Sequence, residues 1–461
     1  MSATRMPSAW PTTGVFPRTA SELCAAALWT RPRSWKIGPL CEPRTSVARF
    51  LISGLLCLWA QAAGAQQWPP VVEIRFEGNE VTQPKTMLRE MPISVGQPAD
   101  PKLIARSRQA VQDLGLFRKV DIRQSENGAG VVLTVSVEEK IYLLPLPRVE
   151  ANTDEEFGYG AQLRWSNVAG LNHRLSAFVV RRELKEEDRD ASTSYSLGYS
   201  APFVFDTPYE LVTGFGHSED KAVRDGVAFD ESFDSVRGLL FRNYGKDNAA
   251  SQGLQLGGGL KWQNQNTSGA GAPPAYGMST ALVAQASYRD ERFNIYSDTG
   301  HSWSLGYEIA SPDIASDYGY AALTAGYARR WEVGDIPFQT AHFFAQLGSY
   351  HGGPQEIEAF SLGGASTMRG YESDFVEGDF LYRLAGEYLR PIGWDWLRLL
   401  VVLEAGNVFE EPKDFSLDKV FVSLGLGLRI RFTYFVNFDV ELGVAMPLVD
   451  GDGLQVFGGG V

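Results

Sequence analysis

Two carboxylates in the C-terminal part of the chain lie where they could bind one cation together. Apolar residues occupy alternate positions on either side of Glu387, and again in the next segment on either side of Glu404, which predicts two strands with both carboxylates on the polar face. The apolar positions are Phe380, Tyr382, Leu384, Tyr388, Leu397, Leu399, Val401 and Leu403. A guanidinium group can meet two such carboxylates because its N–H donors form a planar fork. The chemistry indicated here is ion pairing.

The residue types that catalyse reactions or bind metals are scattered. The five histidines are His173, His217, His301, His342 and His351. No G-x-S-x-G motif and no cluster of metal ligands occurs after residue 65. The three cysteines all precede residue 66, so no disulfide or thiolate site is expected in the rest of the chain. We therefore expect no enzymatic activity, no metal and no other cofactor.

Composition excludes several classes of protein. The chain has 461 residues, a net charge of −13 and 44% hydrophobic residues. This acidic balance argues against a nucleic-acid binder, since phosphate binding depends on Lys and Arg, and the hydrophobic content argues against a disordered chain. After residue 65 there is no apolar run of 18 residues, which excludes a bundle of membrane-spanning helices.

From residue 147 onward the pattern alternates with period two. In the segment 422–432 the apolar residues are separated by Ser423, Gly425, Gly427, Arg429 and Arg431. A soluble sandwich would bury one face of such a strand and could not accept these charges in its core. Strands of ten residues or more and aromatic residues near strand ends are typical of a transmembrane β-barrel.

Sixteen strands are predicted, an even number as in single-chain bacterial barrels. They cover residues 147–153, 157–167, 171–182, 191–201, 208–217, 232–243, 252–264, 278–289, 301–310, 318–331, 339–350, 379–390, 396–406, 419–432, 435–446 and 453–460. A sixteen-stranded barrel has a lumen wide enough for water, so we expect a segment that plugs or gates it. The fold class predicted is mostly β, with an antiparallel barrel over 147–461.

Residues 1–65 have the features of a leader. Arg44 and Arg49 precede an apolar run from Phe50 to Ala60, and Ala63-Gly64-Ala65 follows as a small-residue cleavage site. This order predicts a secretory signal peptide cleaved after Ala65. A buried N-terminal helix is the alternative, and residues 1–40 suggest a start codon placed too far upstream.

Residues 71–141 predict a small α+β domain with the order β-α-α-β-β. Val71 to Glu77 alternates as a half-buried strand. A short helix follows around Lys85–Glu90, and Asp100 with Pro101 predicts the N-cap and first residue of a second helix, which Gly115 ends. Two alternating segments on either side of Asn127 complete the domain.

This domain resembles a POTRA domain, the periplasmic module of outer-membrane insertases and translocases. The resemblance rests on the segments 74–79, IRFEGN, and 114–120, LGLFRKV. POTRA domains bind extended client segments by adding a strand to a sheet edge, whose unpaired N–H and C=O groups accept a guest strand. The alternative is a spacer without a client.

The barrel region resembles the superfamily of BamA, TamA and two-partner-secretion transporters, also called the bacterial surface antigen family. The segment 363–371, GGASTMRGY, matches the loop motif G-G-x-x-x-[VIL]-R-G-[FY], with Met368 in place of the usual β-branched residue. Further matches are YRDER at 288–292 with SDTG at 297–300, EYLRP at 387–391 and EAGNVF at 404–409. The last strand lacks the terminal aromatic residue of many barrels, since Phe457 lies four residues from the end.

The resemblance implies that the loop 351–378 folds into the lumen. It makes Met368, Arg369, Gly370 and Tyr371 the loop motif, with Arg369 held by acidic side chains of the strands that follow. Glu387 and Glu404 are the acids that alternation places on the inner face. In the alternative, Arg369 lies at a solvated loop tip.

The resemblance also implies a place and a role. It predicts an outer-membrane protein with its N-terminal domain in the periplasm, which assists insertion or export of client polypeptides. The partners implied are outer-membrane lipids, unfolded clients and other subunits of an assembly machinery, without nucleic acid. A gated or passive channel with a structural periplasmic domain is the alternative, and a barrel exporting a fused passenger is disfavoured because no passenger precedes the strand at Val71. The identity of the clients stays open between barrel proteins, adhesins and lipids.

Overall fold

A computed structural model describes residues 68–151, 156–184, 191–224, 226–246, 249–354, 360–416, 419–451 and 453–460. The predicted signal peptide and its cleavage site after Ala65 lie outside these residues. Within the described part of the chain, no helix has the length and apolarity needed to cross a membrane.

The N-terminal domain has the predicted order β-α-α-β-β. Its elements are β1 (Val71–Glu77), α1 (Pro84–Leu88), α2 (Pro101–Gln112), β2 (Phe117–Asn127) and β3 (Gly130–Glu139). The strand order is β1-β3-β2, with β1 parallel and β2 antiparallel to the central β3. The parallel pair requires a crossover, which the two helices provide. The domain thus has two edge strands, β1 and β2.

Helix α2 begins and ends as its sequence predicts. The Asp100 side chain accepts the Lys102 N–H at 2.8 Å as an N-cap, and Pro101 is the first helical residue. Gly115, just beyond the helix, has φ +71°, a conformation that glycine adopts without strain. The helix packs its buried face on the sheet, and the core includes Val111, Phe117, Leu133 and Val135.

The second domain is one antiparallel sheet of sixteen strands, which confirms the predicted number. The strands are β4 (Leu143–Ala151), β5 (Glu156–Val168), β6 (His173–Leu184), β7 (Ser192–Ala201), β8 (Tyr209–Arg224), β9 (Val227–Lys246), β10 (Ala249–Ser268), β11 (Gly277–Phe293), β12 (Asp298–Ala310), β13 (Tyr320–Glu332), β14 (Thr340–Gly352), β17 (Phe380–Ile392), β18 (Trp394–Phe409), β19 (Phe421–Arg431), β20 (Asp439–Pro447) and β21 (Gln455–Gly460). Short 3-10 turns lie at Val204–Asp206, Pro312–Ile314 and Pro412–Asp414.

Each strand pairs with its neighbour in sequence, except that β14 pairs directly with β17. Between them, β15 (Phe360–Leu362) and β16 (Val376–Gly378) form a separate hairpin. The sheet begins with β4 and ends with β21, and among the described residues no ladder joins these two strands. A β-carbon on Gly460 would lie 4.0 Å from Nη2 of Arg164 on β5, so the end of β21 lies close to the first strands of the sheet. We call the boundary between β4 and β21 the seam.

The alternation sorts side chains between lipid and lumen as predicted. On β19, Leu424 and Leu426 are exposed on the outside of the barrel, whereas Ser423 and Arg429 are buried inside. Apolar side chains outside and polar ones inside are the arrangement of a membrane barrel. The lumen wall therefore carries the charged residues that the sequence places between the apolar ones.

Three neighbouring strands are longer than the sequence pattern predicts. Strands β8, β9 and β10 have 16, 20 and 20 residues. Beyond the predicted segments these strands carry many charged and polar residues, with ion pairs such as Lys221 to Asp230, so the regular alternation that marks a strand stops before the ladder does. The predicted strands 208–217, 232–243 and 252–264 covered only the parts in which apolar and polar residues alternate regularly.

Candidate functional site in the barrel lumen

The connection from β14 to β17 turns back into the barrel. Within this connection β15 and β16 pair as a hairpin. Between them, an isolated β-bridge joins Gly364 to Met368 and closes a tight turn next to Arg369. Met368 and Tyr371 are buried, at 1% and 3% exposure, in an apolar cluster with Leu362, Leu381 and Val408. A tip buried to this extent is not a solvated loop end.

Arg369 lies between the two carboxylates that alternation places on the inner face. Its Nη1 is 2.9 Å from Oε1 of Glu404, and its Nη2 is 2.9 Å from Oε1 of Glu387. Its backbone N–H also donates to Oε2 of Glu404 at 2.7 Å. Glu404 thus binds both the main chain and the side chain of one arginine.

The contact group is larger than the sequence indicated. Glu441 on β20 accepts from Nη2 of Arg369 at 3.4 Å. Arg429 on β19 donates to Glu387 at 2.7 Å and to Glu441, and Arg383 on β17 donates to Glu404 at 3.0 Å. We call these three carboxylates and three guanidinium groups the lumen ion cluster. Alternation in the segment 422–432 placed Arg429 on the polar face, but only the strand register brings Arg429 and Glu441 to Arg369.

His342 on β14 borders the lumen ion cluster. Its Nδ1 lies 3.4 Å from Oε2 of Glu387, and its Nε2 lies 3.1 Å from the Thr340 hydroxyl. The residue is buried. In the sequence it was one of five scattered histidines, and no spacing rule linked it to Glu387, because the long loop separates their strands.

The two residues after Arg369 fix the loop tip to β19 and β20. A β-carbon on Gly370 would lie 2.5 Å from Cβ of Ser423 and 2.8 Å from the carbonyl carbon of Met446, so a glycine is required for this close approach. The Tyr371 hydroxyl donates to the Val449 carbonyl at 2.5 Å and accepts the Val422 N–H at 3.1 Å. The motif therefore combines a charge, a close contact and a hydrogen-bonding anchor.

Phe457 on the last strand completes the site. Its ring points into the lumen wall, where it packs with Leu389, Leu400 and Ala445. A β-carbon on Gly443 would overlap the ring, so this glycine makes room for it. The Arg369 guanidinium carbon lies over the ring, 5.4 Å from its centre.

A second contact region lies at the barrel end where β4 begins, which we call the near end. The N-terminal domain packs directly on its turns. Thr86 donates to the Gly170 carbonyl at 2.8 Å, Lys85 pairs with Asp206 at 2.7 Å, and Glu90 accepts the Ser251 N–H at 2.8 Å. These contacts link α1 and the residues after it to the turns that follow β5 and β7 and to the start of β10.

Other residues of the domain reach the opposite part of the same end. Asp113 accepts the Phe293 N–H at 2.8 Å, and the Lys140 ammonium lies 4.2 Å from the centre of the Phe293 ring. The Ile141 N–H donates to the Tyr434 carbonyl at 2.8 Å, in the turn between β19 and β20. Because the contacts include turns from both halves of the barrel, the domain lies across the near end.

Three ionisable groups of this contact region have shifted pKa values. Burial raises the pKa of Glu90, and the two hydrogen bonds from Ser251 lower it by a smaller amount. Burial also raises the pKa of Asp113 to about 6, and it lowers the pKa of Lys140 to about 7. Each of these groups is less easily charged in the contact than in water.

The family model of the POTRA domain, described as a surface antigen variable number repeat, matches residues 69–140. No curated protein sequence matches the chain. Among solved structures, CdiB from Escherichia coli aligns with a TM-score of 0.58 and 13% identity over 85% of this chain and 76% of its own. CdiB from Acinetobacter baumannii gives 0.57 and 13% over 85% and 73%. BamA from Haemophilus ducreyi lacking POTRA domains 1–3 gives 0.49 and 15% over 86% and 84%.

The two CdiB structures show that the second domain has their barrel fold, and the family model identifies the first domain. A POTRA domain followed by a barrel is the order that the segments 74–79 and 114–120 and the strand pattern predicted. By this family match and this fold, the described part of the chain combines one POTRA domain with a following β-barrel of the kind seen in the two CdiB structures.

Proposed function

We propose that the protein assists the insertion or export of client polypeptides at the outer membrane. The observation that carries this proposal is the anchored loop, since three buried carboxylates hold Arg369 inside the lumen. A loop held across the lumen by ion pairs restricts free passage, and a regulated path for polypeptides needs a barrier of this kind that can be moved. The POTRA domain across the near end supplies a second barrier.

The alternative is a gated or passive channel with a structural periplasmic domain. The polar lumen wall fits such a channel. The docking of the POTRA domain favours the client-handling function, because its contacts with the barrel leave one sheet edge available.

That edge is β2. The outer side of β1 is covered where it begins, since the Val71 N–H donates to Gln97 and the Val71 carbonyl accepts from Gly96, both at 2.8 Å. Strand β2 pairs with β3 on one side, and no described strand pairs with its other side. Its residues from Arg123 to Asn127 are mostly exposed. An extended client segment can therefore add to β2 through main-chain hydrogen bonds.

In vivo photocrosslinking tests the proposal. A photoreactive residue at Ser125, on the β2 edge, is compared with one at Lys102, which is exposed on α2. We expect adducts with outer-membrane or exported polypeptides at residue 125 and few at residue 102. Mass spectrometry of the adducts identifies the clients as barrel proteins or adhesins. Equal labelling at both positions, or adducts with lipid alone, would contradict the function proposed.

A further inference from the structure

The side chains of the lumen ion cluster come from two parts of the chain, the barrel wall and the loop. Glu387, Glu404 and Glu441 belong to strands of the wall, and so do Arg383 and Arg429. Only Arg369 belongs to the loop. Within this contact group the wall alone therefore has three carboxylates and two guanidinium groups, and the loop supplies the cation that balances them.

The acceptors that surround the Arg369 side chain have a geometry that fits a guanidinium group specifically. Oε1 of Glu404 and Oε1 of Glu387 meet separate nitrogens of one guanidinium, each at 2.9 Å. An ammonium group is compact and cannot span two such acceptors with a planar fork. The Phe457 ring, 5.4 Å from the guanidinium carbon, adds a face on which arginine stacks well.

The wall also binds the main chain of Arg369. Oε2 of Glu404 accepts the backbone N–H of Arg369 at 2.7 Å, while Oε1 of the same carboxylate accepts from its side chain. These two contacts require only an arginine within a polypeptide. The neighbouring residues of the loop contribute separately, through the Gly370 and Tyr371 contacts.

The carboxylates need a cation whenever the loop is displaced. Glu404 and Glu441 are 0% and 3% exposed, and an unbalanced charge at such a position is costly. We propose that the wall of β17 to β20 is a receptor for an arginine residue of a polypeptide. Arg369 occupies this receptor as an internal ligand. When the loop moves away, an arginine of a client takes its place. This proposal rests on the proposed function for the client, but the receptor itself does not depend on it.

The test is binding of small arginine derivatives to a variant whose site is emptied. Purified Arg369→Ala in detergent is titrated calorimetrically with N-acetyl-arginine amide, N-acetyl-lysine amide and N-acetyl-citrulline amide, the last being a neutral isostere of arginine. We expect the arginine derivative to bind at least tenfold more tightly than the lysine derivative, and the citrulline derivative not to bind. The parent protein should bind none of them, because Arg369 fills the site.

Glu404→Gln in the Arg369→Ala background is the matched control, and it should weaken binding of the arginine derivative at least tenfold. Heat-modifiable mobility on gels verifies that each barrel is folded, and Arg369→Met serves as a second emptied variant should Arg369→Ala fail to fold. Equal binding of the three derivatives, or binding unaffected by Glu404→Gln, would overturn the receptor. Neither result bears on crosslinking at β2, so failure of the receptor and failure of the proposed function are distinguishable.

Discussion

The guanidinium carbon of Arg369 lies 5.4 Å from the centre of the Phe457 ring, so the tip of the lumen loop touches the last strand of the barrel. Phe457 is 2% exposed and packs against residues of β17, β18 and β20. Strand β21 is short and borders the seam, with a ladder on one side only among the described residues. The inward ring is therefore a contact that attaches this strand to the wall beyond its immediate neighbour.

Phe457→Ala should loosen the last strand. Removing a buried Phe typically costs about 3–5 kcal/mol, and we expect the lower end here because water of the lumen can fill part of the space. The folded barrel should convert to the unfolded form on SDS gels at a lower temperature. Val456→Ala is the matched control, since Val456 is 81% exposed on the same strand. The same loss of heat resistance in both variants would remove the special role of Phe457.

Gly370→Ala should displace the loop tip while it leaves every charge in place. The added methyl would press on Ser423 and Met446, whereas Gly386→Ala on β17 meets nothing closer than 4.0 Å and serves as the control. We expect faster labelling of a cysteine introduced at Met368 in the Gly370→Ala barrel, and unchanged labelling in the control. Slow labelling in both would show that the wall yields instead of the loop.

Docking of the POTRA domain should depend on pH through Asp113. Burial raises the pKa of Asp113 from an ordinary 3.8 to about 6, so docking takes up a proton. Docking should strengthen as the pH falls from 6 to 4, by up to about a hundredfold in its equilibrium constant, and this contribution is absent above pH 6. Hydrogen exchange of the Phe293 amide, corrected for its intrinsic pH dependence, measures it. Asp113→Asn should flatten the response, and protection that rises between pH 4 and 6 would contradict the prediction.

Docking of the POTRA domain should also depend on pH through Lys140, and here it should strengthen as the pH rises. Burial lowers the pKa of Lys140 to about 7 from 10.5, so docking releases a proton. This contribution to docking is present above pH 10.5 and is lost as the pH falls through 7. Together the two groups make docking weakest between about pH 6 and 7. Crosslinking between cysteines at residues 85 and 206 by a pH-insensitive photoreactive linker should show this minimum, and Lys140→Met should abolish the alkaline limb only.

Much of the barrel could be predicted because its two faces meet different solvents. Alternation therefore gave the strand number, the inward direction of Glu387 and Glu404, and the polar lumen. It could not predict strand ends where the regular alternation is lost, as in β8 to β10. The loop motif indicated Arg369, and no local pattern could add Glu441, Arg429 or His342, because their proximity depends on the register between strands that are distant in sequence.

The contact between the two domains was not predictable from the sequence. Glu90 and Asp113 lie next to helices in ordinary sequence. Nothing in their spacing shows that the Glu90 carboxylate accepts the Ser251 N–H or that the Asp113 carboxylate accepts the Phe293 N–H. Such contacts follow from the placement of whole domains. The direction of Phe457 was also unexpected, since the sequence analysis noted it only for its distance from the chain end.

The central claim is that Arg369 holds the loop in the lumen, and single-channel recording in planar bilayers tests it most directly. Breaking a buried ion pair costs about 3–5 kcal/mol, and somewhat less in a wet lumen, so Arg369→Ala should show higher or noisier conductance than the parent while the barrel still assembles. Arg369→Lys should recover only part of the quiet state, since an ammonium cannot span Glu387 and Glu404. Identical conductance and noise in Arg369→Ala and the parent, with both barrels folded, would contradict the account.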